Sequence, residues 1–94
     1  MLKVLLACQK ESNEMLKSLL KNSLETVEFI DEEMVDNNCI IIKEIDDNID
    51  GISNLANYQG LVFMVSDGKY MFELLEYKPL AFIRKDHLQE DIDF

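Results

Sequence analysis

The sequence has little of what breaks, staples or grips. One proline and three glycines in 94 residues exclude a Pro- or Gly-rich linker and leave no Gly-rich phosphate loop. No internal repeat or low-complexity tract occurs, so the chain reads as one domain with a real core and little stability to spare. Cations are scarce: nine Lys and Arg against nineteen Asp and Glu, a formal charge of −10. Phosphate binding needs clustered Lys and Arg, so direct nucleic-acid binding is excluded. Adsorption to an anionic membrane face is disfavoured in the same way. No apolar run approaches the roughly 20 residues of a membrane span. "MLKVLLACQKESNE" turns polar too soon for a signal peptide, and a cytoplasmic protein is expected. The single histidine, His87, stands far in sequence from Cys8, so no Cys–His nucleophile pair is indicated. Cys8 and Cys39 both lie in or beside apolar segments, which fits buried reduced thiols better than a disulfide or a metal site.

What is present is a regular alternation of apolar runs and amphipathic stretches. At 48% hydrophobic and 30% charged the composition is that of a folded domain. "KVLLAC" (3–8) reads as a buried strand. Ser12 is a plausible N-cap for a helix carrying Met15, Leu16, Leu19 and Leu20 on its apolar side, ending near Asn22–Ser23. "TVEFI" (26–30) is β-branched and aromatic, a second strand. Residues 31–38 allow either two helical turns or a loop. "CIIIKEI" (39–45) is the strongest strand, apolar enough to be buried on both faces as in a parallel sheet. Ile49, Ile52, Leu55 and Ala56 fit a modest helix, and "LVFMV" (61–65) is a fourth strand. A helix capped by Ser66 or Asp67 follows, with Tyr70, Leu74 and Tyr77 on one side and Pro79 as its stop. "LAFI" (80–83) is the fifth strand, and "HLQEDIDF" opens a last helix with His87 exposed at its start. Met34, Met64 and Met71 read as core filler.

Strands alternating with helices imply a parallel sheet with helices packed on both faces. In such open sheets the chemistry sits beyond the C-terminal strand ends. Cys8, Gln9, Glu44, Val65, Ser66 and Lys85 fall there. The stretch "EYKPLAFIRKDHL" (76–88) stands out, because an apolar strand delivers Arg84 and Lys85 to its own C-terminal end. Lys85 should point into the same crevice as Glu44. Arg84 has two possible sides, solvent or a partner. Asp46, Asp47 and Asp50 could collect a cation, although three acids on a turn are usually just solvated.

These residues carry a resemblance. "LVFMVSDGKYMFELLEYKPLAFIRKDHLQEDI" (61–92), and within it "FELLEYKPLAFIRKDHL", resembles the receiver domains of two-component response regulators. The similarity is greatest to regulators with a LytTR-type DNA-binding output domain. "MLKVLLACQKESNEMLKSLLKN" resembles their first strand and helix, and "CIIIKEIDDNIDG" their third strand and the turn after it. Residues 24 to 38 match only as a shortened second strand and helix. The resemblance implies a receiver-like (flavodoxin-like) α/β fold with strand order 2-1-3-4-5 and helices on both faces. It also implies that residues 1–94 form one receiver-like domain ending within its last helix, without an output domain.

The resemblance places roles as well as folds. Receivers hold Mg²⁺ on two acids after the first strand; here those positions fall on Cys8 and Gln9, without two carboxylates. The phosphoacceptor position falls on Glu44, one methylene longer than Asp. The hydroxyl position falls on Val65, with Ser66 one step late, and the charge-sensing Lys falls on Lys85. No metal and no cofactor are expected, because a hard divalent cation needs the missing oxygens. A non-enzymatic, phosphorylation-independent regulatory domain of a transcription regulator is the expectation. Its protein partner, or a second copy, would bind through the face made by the fourth helix, fifth strand and fifth helix. Two outcomes are open for Glu44 and Lys85. The pair holds an activated-like arrangement, or it is a leftover, partly solvated pair worth under about 1 kcal/mol. Two other readings are a working phosphoacceptor domain using Asp46 or Asp47, and a small α/β ligand-binding domain.

Overall fold

The computed structural model describes residues 2–23, 26–36, 38–45, 52, 55, 58–66 and 68–92. Five strands form one sheet: β1 (Leu2–Ala7), β2 (Val27–Phe29), β3 (Ile40–Ile45), β4 (Leu61–Val65) and β5 (Ala81–Arg84). Every pairing is parallel and the order is β2-β1-β3-β4-β5. Among the described residues three α-helices accompany it: α1 (Lys10–Ser23), α2 (Met71–Leu75) and α3 (Leu88–Ile92). A hairpin between residues 26–30 and 39–45 was topologically possible, but Val27–Phe29 pairs with β1 instead, Val4 opposite Phe29. Burial on both faces favours that choice, since an edge hairpin would expose one side of the Ile run.

Side-chain alternation sorts the core into two clusters. On one face Val4, Ile42, Met64 and Ile83 pack with Leu16 and Leu20 of α1 and Leu88 of α3. On the other, Ile41, Ile45, Leu61, Phe63 and Val65 pack with Ile52 and with Leu74 of α2. Phe63 lies edge-on to Tyr77, centroids 6.2 Å apart, and tilted against Phe82 at 5.9 Å, which seats α2 on β4 and β5. Glu44 falls by alternation on the face of Ile42 and Met64, the face that α1 covers.

Several local expectations change. The helix expected to open at Ser12 begins at Lys10, and Gln9 accepts its first bond from the Asn13 amide at 2.9 Å. Ser12 is therefore inside the first turn and buried. Of the three methionines read as core filler, Met64 is fully buried, Met71 half-buried and Met34 exposed; Met15, read on the apolar side of its helix, is exposed as well. Residues 31–38 contain one 3-10 turn, Glu32–Met34, and then an Asp36 turn whose carboxylate accepts from the Asn38 amide and the Cys39 thiol. The helix after β4 starts at Met71, with Tyr70 and not Ser66 in the cap position; Asp67 lies outside the described residues. Of the helix expected around 49–56 only Ile52, buried, and Leu55, half-buried, are described. The last strand reaches Arg84, and a 3-10 turn, Lys85–His87, leads directly into α3. Among the described residues no helix is long and apolar enough to cross a membrane.

Two backbone constraints lend themselves to measurement. Lys78, the residue before Pro79, has φ of 51°, a left-handed conformation that costs a β-carbon-bearing residue more than glycine. Lys78→Gly should raise stability by about 0.5–1 kcal/mol in urea denaturation. Gly60 is held against β3, its carbonyl accepting from the Ile41 amide at 2.7 Å. A β-carbon there would sit 2.2 Å from the Cys39 carbonyl oxygen. Gly60→Ala should therefore cost about 1–3 kcal/mol, since backbone and not a flexible side chain must move.

Candidate functional site

The C-terminal strand ends converge on Glu44. Its side chain is 2% exposed, and an ion in that position must have its oxygens matched by donors. Oε1 accepts the Gln9 backbone N–H at 3.0 Å, and Oε2 accepts Lys85 Nζ at 2.6 Å. The Ser12 hydroxyl donates a further bond. Gln9 is the residue whose carbonyl takes the first helical bond of α1. Glu44 therefore does from another strand what a capping-box glutamate does from within a helix, since it satisfies the cap N–H while Ser12 occupies the third helical position. A negative charge at a helix N-terminus also meets the positive end of the helix dipole.

Lys85 reaches Glu44 from two strands away, with β4 lying between β3 and β5. Neighbouring strands stand about 4.8 Å apart, so the bridge spans roughly 10 Å, a gap that the two long side chains cover together. The lysine is less enclosed than its partner, 34% exposed. Burial is the largest single influence on Glu44 and pushes its pKa up. The bonds from Lys85, the Gln9 amide and Ser12 outweigh it, leaving the carboxyl below its ordinary value of 4.5.

Cys8 sits beside this pair and donates its Sγ–H to the Ile42 carbonyl at 3.4 Å. Burial, then the neighbouring Glu44 charge, push its pKa up to about 12. The thiolate needed for nucleophilic chemistry is thus suppressed, as expected for a small buried hydrophobe. Val65 is buried in the opposite cluster, and Ser66 is exposed beside it. Neither joins the Glu44 constellation. Of the positions singled out in the sequence, Cys8, Gln9, Glu44 and Lys85 come together, and Val65 and Ser66 do not. Asp46, Asp47 and Asp50 lie outside the described residues.

Two participants escaped the sequence reading. Ser12 reads as the helix cap from sequence, and its contact with Glu44 follows only once the cap moves three residues earlier, to Gln9. Asp91 was not singled out at all. It accepts from the Arg84 backbone N–H (2.7 Å), from Nε (3.1 Å) and from an Nη (2.9 Å). These bonds hold Asp91 down at a pKa of about 2 and raise that of Arg84. His87 is half exposed and meets Glu90 at 3.2 Å. Arg84 thus pairs with α3 while its side chain stays largely in solvent, 57% exposed. An i+7 spacing of opposite charges across a strand–helix junction was the available signal, and it is a weak one.

The depressed Glu44 pKa makes stability depend on pH. The unfolded chain takes up the proton first, so the pair's contribution is complete above the unfolded value near 4.5 and fades as pH falls through the lower folded value. Glu44→Gln should lower stability at neutral pH by about 1–3 kcal/mol, because one partner of a buried charge-assisted bond is lost. The difference between wild type and variant should shrink as pH drops from about 6 to about 3, measured by urea unfolding across that range. The chain matches no family model, no curated protein and no solved structure.

Proposed function

We propose that this chain is a receiver-like regulatory domain that works by protein interaction and without phosphorylation, as part of a response-regulator-type control of transcription. One observation carries the reading. The carboxylate at the phosphoacceptor position is buried and already bound on both oxygens, with Lys85 taking Oε2 at 2.6 Å. In a receiver that lysine meets the charge of an added phosphoryl group; here it meets a charge built into the sequence. Cys8 and Gln9 supply no carboxylate pair to hold the Mg²⁺ that phosphoryl transfer needs.

The parallel sheet in order β2-β1-β3-β4-β5 supports a receiver-like, doubly wound arrangement, with α1 and α3 on one face and α2 on the other. The partner, or a second copy, meets the side formed by α2, β5 and α3. Phe72 is 85% exposed there, and Leu75 and Leu80 are exposed with it. Exposed apolar side chains that form a contiguous patch mark interaction surfaces, whereas single ones do not. Protein partners suit a chain of net charge −10 better than nucleic acid does.

Incubation with acetyl phosphate and Mg²⁺ should leave the mass unchanged, and beryllofluoride should leave amide NMR shifts at Gln9 and Glu44 in place. A phosphate adduct on Asp46 or Asp47 would overturn the proposal in favour of a working phosphoacceptor. Sedimentation at matched concentration should show that Glu44→Gln alters self-association or partner binding. Unchanged association, with only a shift in melting temperature, would reduce the pair to a structural cap.

A further inference from the structure

Arg84 and Lys85 are neighbours in sequence that tie down different elements. Lys85 bonds Glu44, which holds the first turn of α1 through the Gln9 amide and Ser12. Arg84 bonds Asp91 of α3 with its guanidinium and its backbone N–H. The two also border different grooves. Arg84 lines one with Val65, Ser66, Met71 and Phe82, and Lys85 lines another with Met15, Leu19 and Leu88.

We propose that the end of β5 is a two-armed coupler, so that the capping of α1 by Glu44 and the docking of α3 by Asp91 form one cooperative state. The inference goes beyond the regulatory role and does not require it. Its physical basis is the shortness of the connection. Lys85–His87 is a 3-10 turn that runs without a break into α3. A backbone shift at Lys85 has only that turn in which to dissipate before it reaches Leu88 and Asp91. The five residues of α3 are far below the roughly 12–15 that an isolated helix needs. Tertiary contacts therefore decide whether α3 forms. Those contacts are Leu88, buried against Leu16 and Leu20 of α1, and the Asp91 clasp on Arg84. Because α3 lies on α1, losing either arm loosens the surface that the other arm secures. Release of α3 would uncover Leu16, Leu20 and Ile83, so the coupler governs whether that apolar face is offered.

Each arm contains a backbone amide bonded to a carboxylate, which makes its own reporter. Hydrogen exchange at Gln9 reads the α1 cap, and exchange at Arg84 reads the α3 clasp. NMR-detected exchange would be compared in wild type, Glu44→Gln and Asp91→Ala, with wild type in urea matched to each variant's global stability as the control. Asp91→Ala should speed exchange at Gln9, and Glu44→Gln should speed it at Arg84 and at 88–92, each by roughly fivefold or more beyond the control. Acceleration confined to each variant's own reporter, or equal to the urea control, overturns the proposal. Should Glu44→Gln not fold, the surface change Asp91→Ala decides alone. Neither outcome depends on whether the chain is phosphorylated or associates, so this test and the functional one fail separately.

Discussion

A carboxylate shut away from water sets the terms for everything around it. Glu44 lies on the α1-covered face of β3, between Ile42 and the strand end, with almost no contact with solvent. Desolvating an ion costs several kcal/mol even after relaxation, so the charge persists only if donors stand ready. Three do: the Gln9 amide at the cap of α1, the Ser12 hydroxyl in its first turn, and the ammonium of Lys85. Meeting that demand fixes where α1 begins, how β1 delivers it, and where β5 must end.

The same filling defines what the site can do. An open reaction centre of this topology would present a free oxygen and a cation at the strand ends. Here the carboxylate has a donor on each oxygen, and its charge is matched by one ammonium. A phosphoryl group arriving at Glu44 would have to displace the Gln9 amide and the Lys85 bond together, and no metal-holding cluster of acids stands beside it among the described residues. Cys8, the other candidate nucleophile, is disarmed by burial and by the very charge beside it. Glu44 is an internal anion already bonded on both oxygens.

Much of this was legible in the sequence. The consecutive isoleucines of 40–42 and the run 61–65 announce strands buried on both faces, and that composition fixes a parallel sheet almost by itself. Glu44 and Lys85 could be paired because strand ends in such sheets share a crevice. Magnitude was less accessible. An exposed pair would be worth under about 1 kcal/mol, but the carboxylate is enclosed, and enclosure depends on how α1 lies. The start of α1 is misplaced from sequence because Ser12 resembles a cap, and a cap supplied from 35 residues away leaves no local trace. Met15 and Met34 have apolar side chains at positions where hydropathy suggests core, yet only packing decides that they face water. The Arg84–Asp91 clasp depends on a strand running one residue further than its apolar run.

Buried ion pairs often add no stability over apolar residues of the same volume, which raises the question of what this one contributes. The usual comparison treats the pair as isolated: remove both charges, fill the space, and nothing else is missed. Glu44 fails that condition. An apolar residue in its place would take this acceptor from the Gln9 amide and from the buried Ser12 hydroxyl, the latter at a cost of about 1–3 kcal/mol. The first turn of α1 would lose its cap and the negative charge at its positive end. Lys85, released, would turn its ammonium to water and no longer tie the end of β5 to β3. The value of Glu44 thus lies less in its attraction to one lysine than in its being the single acceptor on which two helices and the last strand agree.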